Sequence, residues 1–317
     1  MSSLAKRSIG RIFALCILIL IVAGITTMTI GVFLQLSENE DLKSDIMLNE
    51  ANLILLQKEL IEKNISAVFS DIKYLAYSLS YQNISSPAAF SQLEDNWKFF
   101  SDSKKIYTKI RYIDVSGNEK VKIEYFPNGS VSIKPEELKN KANKSYYKNL
   151  SKLLKDQIYI SRLELDFDDG TLERQPVIRM SMPVFENGAR MGSVVISYNA
   201  NYLFDDLRNT ALTSYGDIYL LNSSGYWLYN DRNGENEWGF MYKGRELLTF
   251  ANAYPSEWSR IIESGKGNIE DKNGLFTFFD VKPYYKENNY GKTSVLSGED
   301  EWLLASVVSS SSKNGIV

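Results

Sequence analysis

YTKIRYIDVSGNEKVKIEY, residues 107–125, is the stretch from which the fold can be read. Tyr107 to Asp114 and Glu119 to Tyr125 are rich in β-branched and aromatic residues, and Val115-Ser116-Gly117-Asn118 stands between them. Two such runs around a short turn-forming segment predict an antiparallel hairpin. Downstream, Asn128-Gly129 marks a second turn before Val131-Ser132-Ile133. Glu136 to Lys155 is polar and reads as a helical insertion, with Tyr146, Tyr147 and Leu150 on or near one face. Tyr159-Ile160-Ser161 is a short strand, and Gln175 to Phe185 and Met191 to Asn199 are two more, joined across Asn187-Gly188. Upstream, Ser85-Ser86-Pro87 is a helix breaker, followed by a short helix through Phe90, Leu93, Trp97 and Phe100. Helix followed by antiparallel strands predicts an α+β domain.

The plan repeats in reduced form. Tyr202 to Leu212 is a connecting helix, and Asp217–Asn222 and Tyr226–Asn230 form a hairpin around Ser223-Ser224-Gly225. Glu257 to Glu263 is a short helix, and Asn268–Asp271, Leu275–Val281 and Trp302–Val308 are strands. The chain therefore reads as two tandem related units, the second smaller.

Before both lies a helical region without proline or glycine from Ser37 to Leu79. Leu42, Ile46, Leu53, Leu56 and Leu60 recur at helical spacing, and Ile61, Ile65, Val68, Ile72, Leu75 and Leu79 continue the stripe. Such a stripe predicts one long amphipathic helix. Its near-membrane half is expected to be a self-association seam and its far half to pack on the domain core; the competing reading is that the proximal domain folds back and covers the near-membrane stripe within one chain. Ile12 to Leu34 contains no charged residue, and about 20 apolar residues suffice to span a bilayer as helix. Lys6, Arg7 and Arg11 precede this run and Glu38, Glu40 and Asp41 follow it, which predicts an N-in orientation. The run is too long for the apolar region of a cleaved signal peptide. The expected organisation is a cytoplasmic tail at 1–11, a transmembrane helix at 12–34, a stalk helix at 36–82, a membrane-distal domain at 83–204 and a membrane-proximal one at 205–317.

Composition narrows the chemistry. The 317 residues carry a formal charge of -3, which gives no footprint for nucleic acid. There is no histidine, which excludes Ser-His-Asp and Cys-His catalysis, His-ligated zinc and a phosphoacceptor histidine within the chain. The one cysteine, Cys16, lies in the membrane run, so the exported part has neither disulfide nor thiol nucleophile. Carboxylate-only chemistry such as glycoside hydrolysis stays open. Glu164, Asp166, Asp168, Asp169 and Gly170 miss the spacing of a calcium loop and read as an acidic hairpin turn. No metal and no cofactor are expected.

The hairpin at 107–125 resembles the IRYID-x-x-G-x-E hairpin of double-Cache sensor domains, the tandem PAS-like extracytoplasmic domains of prokaryotic transmembrane receptors. IYISRLELDFDDGTLERQPVIRMSMPVF, residues 158–185, is similar to the IYIS…PVIR…PVF signature of the same group. DIYLLNSSGYWLYNDRNGENEWGF, residues 217–240, is similar to the proximal domain's E-W-G-F hairpin, with Tyr229-Asn230 where the family often has His-Pro. The resemblance implies two PAS-like domains after one membrane helix, in receptors whose outputs are histidine kinases, diguanylate cyclases or chemotaxis transducers. A second membrane helix and such an output follow in the family and are not in this sequence. It also implies a ligand site between the distal sheet and a covering element.

Strand alternation divides the distal sheet into two faces. Ile178, Met180, Met182 and Val184, with Val194, Ile196 and Tyr198, form an apolar face for the long helix. Arg179, Ser181 and Ser197 point the other way; Arg111, Tyr159 and Ser161 extend that face, and Tyr146 and Tyr147 close over it. An arginine with hydroxyls and tyrosines suits a small molecule bearing a carboxylate. The competing reading of Arg179 and Arg111 is that each pairs with a nearby acid such as Asp114 or Glu164. The chain is thus expected to be a non-catalytic, inner-membrane-anchored sensor that dimerises through the long helix. An exported carboxylate-dependent hydrolase and a non-sensing spacer are the alternatives.

Overall fold

The computed structural model describes residues 3–80, 87–167, 174–282, 294–297 and 301–310. Helix α1, Ser3–Ser80, is continuous and about 117 Å long at 1.5 Å per residue. It is long and apolar enough near its N-terminus to cross a membrane. The large apolar side chains from Leu15 to Leu36 on this stretch are exposed, as a lipid-facing surface requires. The helix Pro87–Lys104 (α2) begins on proline, whose missing N–H costs nothing in the first turn.

The distal unit is an antiparallel sheet built from β1 (Tyr107–Asp114), β2 (Glu119–Phe126), β3 (Gly129–Ser132), β4 (Gln157–Ile160), β5 (Glu164–Leu165), β6 (Pro176–Glu186) and β7 (Ala189–Asn199). Its central order is β4-β6-β7-β1-β2-β3, with β5 also on β6. Helix α3, Ser145–Leu150, lies between β3 and β4 in sequence. Helix α4, Asn201–Ala211, leads to the proximal strands β8 (Asp217–Leu221), β9 (Trp227–Asn230), β10 (Lys266–Asp271) and β11 (Gly274–Val281), with helices α5 (Phe250–Ala253) and α6 (Pro255–Ser264) between β9 and β10. Strand β12, Ser294–Ser297, precedes β13, Trp302–Ser309. The proximal sheet has the order β10-β11-β13-β8-β9.

Helix α1 packs on both sheets. Ile61, Ile65, Val68, Ile72, Leu75 and Leu79 share one core with Ile178, Met180, Met182, Val184, Val194 and Ile196, as the strand alternation requires. Buried polar side chains fix the helix along its length. Glu50 accepts from the Tyr215 N–H at 2.8 Å and from the Ser214 hydroxyl at 2.7 Å, and also bonds Ser306. Gln57 donates to Thr210 Oγ1 at 2.9 Å, and Asp71 accepts from Lys104 Nζ at 2.8 Å.

Four expectations need correction. First, the predicted seam is largely covered within the chain: Ile46 packs on Leu275 and Val308 with Leu42 against them, and Leu53 belongs to the main core. Leu60 is half-buried and only Leu56 of the five stays exposed, at 47%. The proximal sheet, folded back on α1, supplies the cover. Second, of the helix expected at 136–155 only Ser145–Leu150 is α-helical, after a single 3₁₀ turn at Pro135–Glu137. The segment between them is held by the hairpin turn of β1 and β2: Asn140 Nδ2 donates to the Ser116 carbonyl at 3.1 Å, and the Lys141 N–H to the Gly117 carbonyl at 2.7 Å. Gly117, at φ +85°, has no room for a Cβ because Ala142 would lie 2.9 Å away. Third, the acidic stretch does enter the β5–β6 hairpin, but Glu164 lies in β5 itself and Asp166, 2% exposed, donates its N–H to the Gln175 carbonyl at 2.8 Å at the end of the ladder; Asp168, Asp169 and Gly170 lie outside the described residues. Fourth, β12 had no signal in the sequence. It leaves the proximal unit and pairs in parallel with β4, Ser294 opposite Gln157 through Ser297 opposite Ile160.

Candidate functional site

The face of the distal sheet turned away from α1 is charged and buried. On β1, Lys109 and Arg111 are 7% and 0% exposed; on β2, Lys122 is 5% exposed; on β6, Arg179 is 3% exposed. These charges form a ladder of ion pairs. Arg179 holds Glu164 at 2.8 Å through Nη1 and Asp166 at 2.5 Å through Nη2. Asp166 also accepts from Lys109 Nζ at 2.8 Å. Glu119 lies 3.2 Å from Arg111 Nε and 3.7 Å from Lys141 Nζ, and Lys122 pairs with Glu124 at 2.7 Å. Burial alone would push the Asp166 carboxyl upward, but Arg179 and Lys109 outweigh it and hold the group below the ordinary carboxylate range.

Close together on this face, Arg179 Nε, Ser181 Oγ and Ser197 Oγ have no hydrogen-bond partner among the described residues. Arg179 and Ser197 stand opposite each other in the β6–β7 register, and Ser181 is two residues along the same face of β6. Buried side-chain donors and acceptors are almost always paired, so three orphans on one small patch call for an explanation.

A cover lies over the patch. The Tyr146 ring stands 5.7 Å from the Arg179 guanidinium. Tyr146, Tyr147, Leu150, Leu153 and Tyr159 cluster with Ile113 and Val195 of the sheet. The Tyr147 hydroxyl donates to the Val115 carbonyl at 2.9 Å, and burial raises its pKa. Asn149 Nδ2 donates to the Tyr159 hydroxyl at 3.1 Å. Arg190 closes the C-terminal end of α3 by donating to the carbonyls of Leu150, Ser151 and Leu153 at 2.7–2.9 Å, the favourable place for a cation at a helix end.

Of the eight residues singled out by sequence, Arg179, Ser181, Ser197 and Tyr146 come together. Tyr159 is adjacent, opposite Ser181 across β4 and β6. Arg111 is on the same face but pairs with Glu119. Tyr147 anchors the cover to the hairpin turn. Ser161 is committed to backbone: its hydroxyl donates to the Arg162 carbonyl at 2.8 Å and accepts the Arg179 N–H at 2.9 Å. The reading of Arg179 as the partner of Glu164 also holds. Sequence reasoning missed Lys109, Lys122, Lys141, Glu119 and Asp166. For Lys109 a signal existed, since it stands two residues before Arg111 and shares its face of β1.

A membrane-length helix carrying two PAS-like sheets, one with a covered polar patch, is the architecture of a receptor sensor domain. Residues 56–291 match the family described as bacterial histidine kinase, sensor domain, and the chain belongs to that family. It is similar to a solved domain from Vibrio parahaemolyticus assigned to the sensory box/GGDEF family, at 23% identity and TM-score 0.69, covering 84% of this chain and 99% of that one. It is similar also to the extracellular domain of a chain described as a histidine kinase, vpHK1S-Z8, at 22% identity and TM-score 0.69, covering 86% and 96%. The sensory domain of the Campylobacter jejuni chemoreceptor Tlp3, solved with isoleucine bound, shares 13% identity at TM-score 0.58, covering 87% and 97%. These three are likenesses of fold. No curated protein matches the chain.

Proposed function

We propose that the distal domain binds a small carboxylate-bearing ligand between its polar sheet face and α3, and that the chain performs no catalysis itself. The observation that carries this reading is the convergence of Arg179 Nε, Ser181 Oγ and Ser197 Oγ, buried and without partners among the described residues. A carboxylate there would accept a charge-assisted hydrogen bond from Arg179 and two hydroxyl bonds. The bound isoleucine of the Campylobacter relative supports an amino acid as one candidate class. Glu164 and Asp166 are occupied in holding Arg179, which supports a binding role for this face over hydrolysis. A thermal-shift screen of the full chain against amino acids, organic acids, amines and nucleobases tests the proposal, because a bound ligand raises apparent stability by mass action. A screen in which no carboxylate compound raises the melting temperature would sink it.

In this reading residues 12–34 span the inner membrane with Lys6, Arg7 and Arg11 inside, 36–82 form the stalk, and 83–204 and 205–317 are the distal and proximal domains outside. Protease added to spheroplasts should then digest the region after Gln35. The chain pairs with a second copy along the face of α1 that its own domains leave open, where Leu48, Leu55 and Leu56 are 61%, 42% and 47% exposed. In a Cys16→Ser background, single cysteines at Leu48 and Leu56 should crosslink in membranes and one at the buried Leu53 should not. Equal crosslinking at all three positions rejects the pairing.

A further inference from the structure

An open cleft of about 580 Å³ separates the lower end of the distal sheet from the proximal hairpin. It shares no side chain with the patch around Arg179. Its volume lies in the range of small-molecule sites, and junctions between domains are where such sites concentrate. Three elements wall it: the segment entering β6 brings Arg174, α4 brings Phe204 and Arg208, and the proximal hairpin brings an acidic run.

The acids of this cleft come from one wall. Asp231, Glu235 and Glu237 lie on the connection after β9, which also brings Arg245 further along, whereas Arg174 and Arg208 come from the two other walls. No ion pair joins these acids to these arginines among the described residues. Arg208 pairs instead with Asp205 of its own helix at 2.5 Å. Arg245 donates to the Glu235 carbonyl oxygen at 3.0 Å and lies 5.0 Å over the Tyr242 ring. Opposite charges that line one cavity without meeting leave room for a ligand that meets both.

The acidic wall is built rather than incidental. Glu237 accepts the Asn230 N–H at 2.8 Å. Burial raises its carboxyl above the ordinary range against the pull of that bond and of Arg208. The Tyr229 hydroxyl donates to Asp231 at 2.9 Å. Trp238, next to Glu237, sits in the left-handed region at φ +62°, which residues with a side chain avoid. Its N–H bonds the Trp227 carbonyl at 2.9 Å and its ring packs on Phe204 at 6.1 Å. Backbone outliers held in this way cluster at ligand sites. A carboxylate flanked by tyrosine and tryptophan rings suits an alkylammonium group.

We infer that the cleft is a second small-molecule site, taking a compound that carries both an ammonium and a carboxylate group. The ammonium lies against Glu237 and Asp231 beside Tyr229 and Trp238. The carboxylate faces the arginines. Such a ligand touches both domains and the helix between them, and so fixes their relative placement.

The test is a thermal-shift titration of the full chain in detergent with glycine, γ-aminobutyrate, L-lysine, L-glutamate and glycylglycine. It compares the wild type with Glu237→Gln, Asp231→Asn, Arg245→Gln and the distal variant Arg179→Ala. The expected result is that at least one compound shifts both the wild type and Arg179→Ala. Its midpoint should rise tenfold or more in Glu237→Gln and in Arg245→Gln. Should Glu237→Gln fail to fold, Arg245→Gln and Asp231→Asn, the latter at an exposed position, give the same reading. A shift lost in Arg179→Ala but kept in every cleft variant overturns the cleft site and leaves the distal reading intact. A shift lost only in the cleft variants supports the cleft site and leaves the distal reading to the wider screen that tests it. Loss in both sets, or no shift of the wild type by any of the five compounds, also overturns a separate cleft site.

Discussion

The two sheets present matching apolar faces to α1 and opposite chemistry on their other faces. In the distal sheet that other face carries Lys109, Arg111, Lys122, Arg179, Ser181 and Ser197. In the proximal sheet the same side carries Tyr219, Leu221, Phe276, Phe278, Leu303 and Val307, packed against Phe250, Trp227 and Ile261. Phe250 of α5 lies at the centre, with the rings of Tyr219, Trp227, Tyr254, Trp258 and Phe276 at 4.8–6.3 Å. One plan therefore gives a face filled with aromatic rings and a face that retains charge and unmet hydrogen-bonding capacity. The fold is common to both, and the two faces differ in which side chains the alternation turns outward.

The contrast breaks most readily at Phe250. Truncation to alanine should cost about 3–5 kcal/mol, because it leaves a cavity among the rings packed on Phe250. Chemical denaturation measures this, and a loss under 1 kcal/mol would mean that the aromatic face is not a closed core. In the distal sheet the corresponding test is Arg179→Ala. Binding of whichever carboxylate compound shifts the wild type should weaken by about 1.5–3 kcal/mol, the worth of a hydrogen bond to a charged group. Phe250→Ala, read at a temperature where it is folded, should leave that affinity unchanged. If Arg179→Ala binds as well as the wild type, the patch is structural.

Acid should act on the distal face through Asp166. The Asp166 carboxyl titrates below its ordinary value in the folded chain because Arg179 and Lys109 favour its charged form. A group with a depressed folded pKa stabilises the fold fully above its unfolded pKa, near 3.9. That contribution is lost as pH falls through the lower folded value. Melting temperature followed from pH 6 to pH 2.5 should therefore drop in the wild type below about pH 4, and drop less steeply in Asp166→Asn. Equal slopes would remove Asp166 from the account. Each unit of depression is worth about 1.4 kcal/mol.

Period carried most of the fold in the sequence and little of the ion pairing. The hairpin at 107–125, the strands around 178 and 196 and the stalk stripe from Ile61 to Leu79 all follow from alternation or helical spacing, which are local. Arg179, Ser181 and Ser197 were legible for the same reason, since a strand of known phase fixes which side chains share a face. Asp166 was not, because its inward direction is set by the pairing of Leu165 with Pro176 across β5 and β6. Strand β12 was hidden for a related reason. Ser294 to Ser297 is polar at its ends and short, and its pairing depends on the free edge of β4 in the other domain. The fate of Leu42, Ile46 and Leu53 was open in the sequence because an apolar stripe does not say whether a second copy or the chain's own sheet covers it.

The smallest expected effect separates a paired buried hydroxyl from unpaired ones, because it has opposite signs on the two sheets. Thr277 in β11, on the side of the proximal sheet turned toward α1, is buried and its hydroxyl donates to Asn268 Oδ1 at 2.7 Å. Thr277→Val keeps the shape and removes that bond, so the proximal sheet should lose about 1 kcal/mol. Ser181 and Ser197 are equally buried, but their hydroxyls have no partner among the described residues. An unmet buried hydroxyl has given up its water and gained nothing, and removing it relieves a cost on the order of 1 kcal/mol. Ser181→Ala and Ser197→Ala should therefore leave the ligand-free chain as stable as the wild type or more stable, while binding of the carboxylate compound weakens. Denaturation without ligand and titration with it read the two quantities on the same samples. A serine variant that loses stability without ligand would show that the hydroxyl already has a partner in the fold. The distal patch would then be satisfied from within, like the proximal sheet, and the difference between the two faces would no longer point to a ligand.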